Sequence, residues 1–217
     1  EVQYVLQNNL PYTSFAQLIG KTFLQDRISI VVCGTHGKTT TASWLAHCLR
    51  ELGENPCFLI GGIPQNFEFS FQLTDSRLFV IEGDEYDTAF FDKESKFLHY
   101  APNYVVLNNL EFDHADIFES LADVESAFSK LLNLVENKQN IICNTEHKGL
   151  HSLLSKLKME KKVKKFSSSM PQTGHTLPPN SPPQQQIKIH TPTWGDLEIS
   201  TPMIGHHNVQ NLSGVIA

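Results

Sequence analysis

Ile28-Ser29-Ile30-Val31-Val32-Cys33-Gly34-Thr35-His36-Gly37-Lys38-Thr39-Thr40 decides how this chain is read. A run dominated by β-branched side chains ends in glycine, as expected of a strand covered on both faces within a parallel sheet. From Thr39 the period changes: Trp44, Leu45, Cys48, Leu49 and Leu52 form one helical stripe, and Gly53 stands at its stop. Strand, glycine-bracketed turn and helix in direct succession aim free backbone N–H groups and the positive helix end at one point, and glycine permits an anion to come close. Lys38 supplies a charge for β- and γ-phosphate oxygens, and the Thr39 hydroxyl a ligand for Mg²⁺. Gly34, Thr35, His36, Gly37, Lys38, Thr39 and Thr40 are therefore the candidate ATP-binding residues. The strict GxxxxGK[ST] pattern is not met, because Val32 stands six positions before Lys38, so the assignment rests on the strand-to-helix placement. A glycine turn that merely caps a helix is the competing reading, and it leaves Lys38 without a packing role.

Outward from this loop the alternation repeats. Leu78 to Ile81, Tyr104 to Leu107 and Asn140 to Cys143 are short apolar runs, whereas Leu121, Val124, Phe128, Leu131, Leu132 and Val135 follow a helical period, and another helix is expected from Lys148. This predicts an α/β fold, a P-loop-containing doubly wound and mostly parallel sheet. Before the first strand, Ser14 with Gln17 predicts a helix start, and Phe15, Leu18, Ile19 and Phe23 share its spacing. Residues 167–186 are polar and proline-rich and read as a long surface loop. Ile187 to His190 and Leu197 to Ser200 flank Thr193-Trp194-Gly195-Asp196, which predicts a small antiparallel hairpin, and a last helix runs from Asn208 to Ala217.

Composition narrows the function. With 217 residues, 40% hydrophobic and 18% charged, the chain has a globular balance. The formal charge of -6 argues against nucleic acid as the main partner, and the basic run from Lys156 to Lys165 reads as a solvated face at a helix end. No stretch approaches the ~18 consecutive apolar residues of a membrane span, so no membrane partner is expected. Cys33, Cys48, Cys57 and Cys143 lack CxxC spacing and read as reduced thiols of a cytoplasmic protein.

Carboxylates gather where strands end, the edge at which open α/β sheets bind ligands. Glu82-Gly83-Asp84-Glu85-Tyr86-Asp87 follows one strand, and Glu82, nearest its end, is the candidate for Mg²⁺; Asp84, Asp87 and Asp92 read singly as solvated acidic positions. Asn108-Asn109-Leu110-Glu111-Phe112-Asp113-His114 follows the next, where His114 is either a second metal ligand beside Asp113 or a satisfied structural histidine. Asn208 and Asn211 lie three apart, suited either to reading a purine edge or, for Asn208, to capping the helix.

Taken together, these residues resemble the Mur ligase family, whose central domain carries GTxGKT, a strand-end Glu, an Asn-x-x-x-Asp-His segment and a terminal His-Asn motif. The resemblance covers nearly the whole chain in the family's order. It implies catalysis by Lys38, Glu82 and His114, a first Mg²⁺ on Thr39 and Glu82, a second on His114, and adenine contacts from His207, Asn208 and Asn211. It also implies ATP-driven amide formation: the γ-phosphoryl group passes to the lactyl carboxylate of UDP-N-acetylmuramate, an amine attacks the acyl phosphate, and phosphate leaves. Tyr86 and Phe91-Asp92-Lys93 are similar to members that add the murein tripeptide L-alanyl-γ-D-glutamyl-meso-diaminopimelate in peptidoglycan recycling, rather than L-alanine. Where several members carry a carbamylated lysine, this chain has Ser129, with Lys130 adjacent on another helix face.

The family has three domains. The expected division is a linker or first-domain tail over 1–27, an ATP-binding central domain over 28–204 and the start of a third domain over 205–217, with the UDP-sugar domain and most of the third domain missing. Such a piece alone is expected to be inactive in ligation. The alternatives are an L-alanine-adding ligase, a folylpolyglutamate synthase relative, or a non-catalytic nucleotide-binding module, against which the metal candidates Glu82 and His114 count.

Overall fold

A computed structural model describes residues 1–89, 91–112, 118, 120–167, 185–191, 195–203 and 205–217, without the side chains of 185, 190 and 191. After α1 (Val2–Gln7) and α2 (Phe15–Ile19), the strand predicted from the opening run forms as β1 (Ile28–Cys33) and leads into α3 (Lys38–Glu51). There follow β2 (Cys57–Leu59), β3 (Phe71–Gln72), β4 (Leu78–Gly83), β5 (Asp87–Ala89), β6 (Asp92–Ser95) and β7 (Tyr104–Leu107). The second half holds α4 (Leu121–Leu134), β8 (Ile141–Asn144), α5 (Lys148–Lys156), β9 (Lys164–Phe166), the pair β10 (Gln185–Thr191) and β11 (Gly195–Thr201), and α6 (His206–Ile216).

The main sheet runs β3-β2-β4-β1-β7-β8-β9, every neighbouring pair parallel except the antiparallel edge strand β3. Strand β1 lies at its centre, so the loop after it opens at the middle of the carboxyl edge. Side chains alternate between the faces. Val31, Cys33, Phe79, Ile81, Val105 and Leu107 join the core under α2, α4 and α5, whereas Val32, Val80, Val106 and Ile142 join the core under α3. The sheet is thus covered on both sides, as the near-continuous apolar runs require, and the fold is the doubly wound α/β class predicted. The separate β10-β11 hairpin packs Ile187 and Ile189 on Val209 and Leu212 of α6 and on Trp44 of α3.

Several local expectations are corrected. Lys164 and Lys165, read within a solvated helix end, belong to edge strand β9, where both are exposed and Phe166 is buried. Ser14 caps α2 by accepting from the Gln17 N–H at 3.2 Å, but Phe15 and Leu18 of that helix and Phe23 of the π-helical turn Gly20–Leu24 after it are exposed, while Ala16 and Ile19 are buried. Between β4 and β7 stand the β5-β6 hairpin and a 3₁₀ turn over Lys96–Tyr100. Asp92, read as solvated, is buried: its Oδ2 accepts from Ser14 Oγ at 2.9 Å and Gln17 Nε2 at 3.1 Å, with His99 Nε2 at 2.9 Å. Residues 185–186 of the predicted surface loop start β10, and 168–184 lie outside the described residues, as do Thr193 and Trp194 of the predicted turn.

Candidate active site

The turn between β1 and α3 is built from its glycines. Gly37 sits at φ 79° and ψ 2°, the left-handed region, and directly precedes α3, whose start carries no capping side chain. That leaves the first N–H groups of the helix pointing into the turn, the arrangement that binds phosphate. A Cβ on Gly37 would lie 2.5 Å from Asn211 Oδ1, so α6 presses its amide on this glycine. A Cβ on Gly34 would meet the Asn109 N at 3.1 Å, which sets how near β7 and the loop approach.

The strand-end segment after β7 holds the loop in shape. Asn109 Oδ1 accepts from the His36 N–H at 2.8 Å, and its Nδ2 donates to the His36 carbonyl at 3.1 Å. Thr35 Oγ1 accepts from the Glu111 N–H at 2.9 Å, and buried Asn108 donates from Nδ2 to Thr41 Oγ1 at 2.9 Å. His147 accepts from the Leu110 N–H at Nδ1, 3.3 Å, which leaves the proton on Nε2 facing Glu111 Oε1 at 2.9 Å. Thr35 and His36 are therefore held through their backbones and hydroxyl, and the His36 ring projects into solvent 3.8 Å from Glu111 Oε2.

Lys38, Thr39 and Glu82 line one open cleft of about 600 Å³ together with Thr35, His36, Gly37, Gly61, Tyr86, Lys96 and Tyr100. Glu82 Oε1 accepts from the Gly61 N–H at 2.9 Å. A hydroxyl and a carboxylate on one wall are hard oxygen donors of the kind Mg²⁺ takes, and the turn is an anion cradle, so the residues present fit a metal–nucleotide pair. Lys96 Nζ pairs with Asp84 Oδ2 at 2.6 Å beside Tyr86. Burial, with Asp84 nearby, pushes the Tyr100 phenol well above its ordinary range, and burial does the same to the Cys33 thiol beneath the loop, so neither ionises near neutral pH.

Sequence reasoning missed Glu85. It is 3% exposed and its Oε2 lies 3.0 Å from Lys38 Nζ. The signal was strand parity: Ile81, Gly83 and Glu85 are buried while Glu82 and Asp84 are half-exposed, so an acidic run divides between two environments. Thr40 lines a neighbouring cleft with Ser43, Trp44 and His47. Gly205 precedes α6, so Asn208 is not its cap; Asn211 is buried against the loop, while His207 is exposed with its ring against Gly205. Asp113 and His114 lie outside the described residues. Lys130 pairs with Glu94 at 2.9 Å, and the Ser129 hydroxyl donates to the Glu125 carbonyl.

The family model of the Mur ligase middle domain matches residues 32–217. The chain belongs to the Mur ligase middle-domain family. Over 141 residues this middle domain is 51% identical to UDP-N-acetylmuramate-L-alanyl-gamma-D-glutamyl-meso-2,6-diaminoheptandioate ligase of Escherichia coli (strain K12), covering 65% of this chain and 31% of that protein. The corresponding ligase of Haemophilus influenzae is 51% identical over 134 residues, covering 62% and 30%. The chain thus spans about a third of the length of these curated relatives. A crystal structure of UDP-N-acetylmuramate:L-alanyl-gamma-D-glutamyl-meso-diaminopimelate ligase from Neisseria meningitides superposes with a TM-score of 0.84 at 37% identity, covering 99% of this chain and 68% of that one. Among the described residues no helix is long and apolar enough to cross a membrane.

Proposed function

We propose that the full-length protein is a cytoplasmic ATP-dependent ligase that joins L-alanyl-γ-D-glutamyl-meso-diaminopimelate to UDP-N-acetylmuramate in peptidoglycan recycling. The observation that carries this reading is that Lys38 and Thr39, at the mouth of the phosphate turn, share one cleft with the strand-end carboxylate of Glu82. The 51% identity to the Escherichia coli ligase supports the choice of substrates. Tyr86 and Phe91-Asp92-Lys93 support the tripeptide over L-alanine.

A carboxylate is a poor electrophile. ATP gives its γ-phosphoryl group to the lactyl carboxylate, with cleavage of the bond to ADP, and the tripeptide amine then displaces phosphate from the acyl phosphate. Lys38 stabilises the charge on the transferring group, and the Gly37–Thr39 amides hold the phosphates in line. Thr39 and Glu82 would hold one Mg²⁺ and His114 a second, which would supply charge neutralisation at the phosphates when bound. His207, Asn208 and Asn211 contact adenine, Asn211 from its seat on Gly37. Residues 1–27 serve as a linker, 28–204 as the ATP-binding domain and 205–217 as the start of a third domain that packs back on the central one.

The test is phosphate release by the full-length protein with UDP-N-acetylmuramate and either the tripeptide or L-alanine. Release with the tripeptide supports the reading. Release with L-alanine alone replaces it by the L-alanine-adding reaction, and release with neither ends it.

A further inference from the structure

An ammonium group has three hydrogens to donate and accepts none. The ammonium of Lys38 directs them at the Gly34 carbonyl at 2.7 Å, Glu85 Oε2 at 3.0 Å with Oε1 at 3.3 Å, and the Thr35 carbonyl at 3.4 Å. Two of these contacts are short and one is long. The carboxylate is almost wholly buried, so loss of either partner would leave the other charge uncompensated out of water. Glu82, three residues earlier, is engaged elsewhere, on the Gly61 N–H. The acidic run thus supplies one carboxylate to the cleft wall and another to the lysine.

We propose that Glu85 is a positioning residue for phosphoryl transfer, fixing the Lys38 ammonium against the Gly34 carbonyl so that the N–H on the long Thr35 contact donates its hydrogen bond to a phosphate oxygen instead. The inference rests on the ATP-dependent reading above. Glu85 does not serve affinity: a negative charge 3.0 Å from the phosphate-binding lysine opposes a polyanion. It serves aim. Nucleotide affinity and turnover therefore respond to its loss in opposite directions, a signature that a residue needed only for folding does not produce.

The experiment uses the full-length protein with Glu85→Gln, which keeps size and one acceptor oxygen, and Glu85→Asp, which keeps the charge. Binding of a non-hydrolysable ATP analogue without Mg²⁺ is measured by calorimetry, and kcat and KM for ATP by phosphate release with the tripeptide. For Glu85→Gln the analogue binds several-fold tighter while kcat falls at least tenfold, and Glu85→Asp recovers part of kcat at wild-type affinity. Unchanged affinity, weakened affinity or unchanged kcat in Glu85→Gln overturns the proposal, as does a melting temperature lowered enough to account for lost turnover. If wild-type protein releases no phosphate with either amine, the ligase reading is what fails. The calorimetric arm still decides whether Glu85 restrains the lysine.

Discussion

Replacing Gly37 by alanine tests how the loop and α6 are held together. The residue sits at φ 79°, where an L side chain is disfavoured by roughly 1–2 kcal/mol. The new Cβ would also lie 2.5, 3.0 and 3.1 Å from the three terminal atoms of Asn211, all on one buried amide. Asn211 cannot easily retreat, because a Cβ at Gly214 would already be 3.0 Å from Phe166 Cζ, so α6 rests close on the sheet. Overpacking of this kind adds about 1–3 kcal/mol. Gly37→Ala should therefore destabilise the nucleotide-free chain by about 3 kcal/mol, and by only about 1–2 kcal/mol in an Asn211→Ala background, where the contacts vanish and the backbone strain remains. Urea unfolding of the wild type, both single variants and the double variant, followed by circular dichroism, closes the cycle. A coupling between the two substitutions below about 0.5 kcal/mol would refute the claim that Asn211 is seated on Gly37.

Lys38→Ala in the full-length protein should lower phosphate release by about 10²-fold or more, as loss of one preorganised charge does, and a variant retaining wild-type turnover would remove the loop from the reaction. Burial pushes the Cys143 thiol up to about 12, so its contribution to stability is complete below the ordinary thiol value and is lost as pH rises towards 12. Cys143→Ala should accordingly flatten the alkaline fall in stability above about pH 9, read as urea midpoints against pH. Phe128→Ala, at a fully buried ring set edge-on to Phe97, should destabilise by about 3–5 kcal/mol, whereas Phe71→Ala on the exposed edge strand should stay within about 0.5 kcal/mol. Equal effects would contradict the burial pattern.

The elements legible in the sequence were those whose burial is two-sided or strictly periodic. β1, β4, β7 and β8 are apolar because both sheet faces are covered, and α4 buries most of its predicted stripe, whereas in α3 the buried residues are Thr41, Ala42 and Ala46, the predicted Trp44, Leu45, Cys48 and Leu49 are half-buried and Leu52 is exposed. β2 and β9 escaped notice because three residues carry no period and their pairing is contributed by neighbours distant in sequence. Exposed Phe15 and Phe23 misled because helical spacing says that residues share a face without saying which face is covered. At the site, the strand-to-helix turn before α3 and the place of Glu82 near the end of β4 could be read from residue type. Glu85 could not be separated from its acidic neighbours until β4 fixed which parity turns inward, and Asn211 gave no sign of touching Gly37, since the two are brought together only by the packing of α6 on α3.

The seating of α6 has a kinematic consequence. Gly214 removes the side chain that would act as a spacer against Phe166 and Val106, and Asn211, one turn earlier, reaches the phosphate turn. The helix is therefore a gear with little backlash: sliding it along the sheet displaces an amide that meshes with Gly37, and swelling of the turn pushes back on the helix. Displacement of residues 206–216 would therefore bear directly on the backbone of Gly37 between β1 and α3.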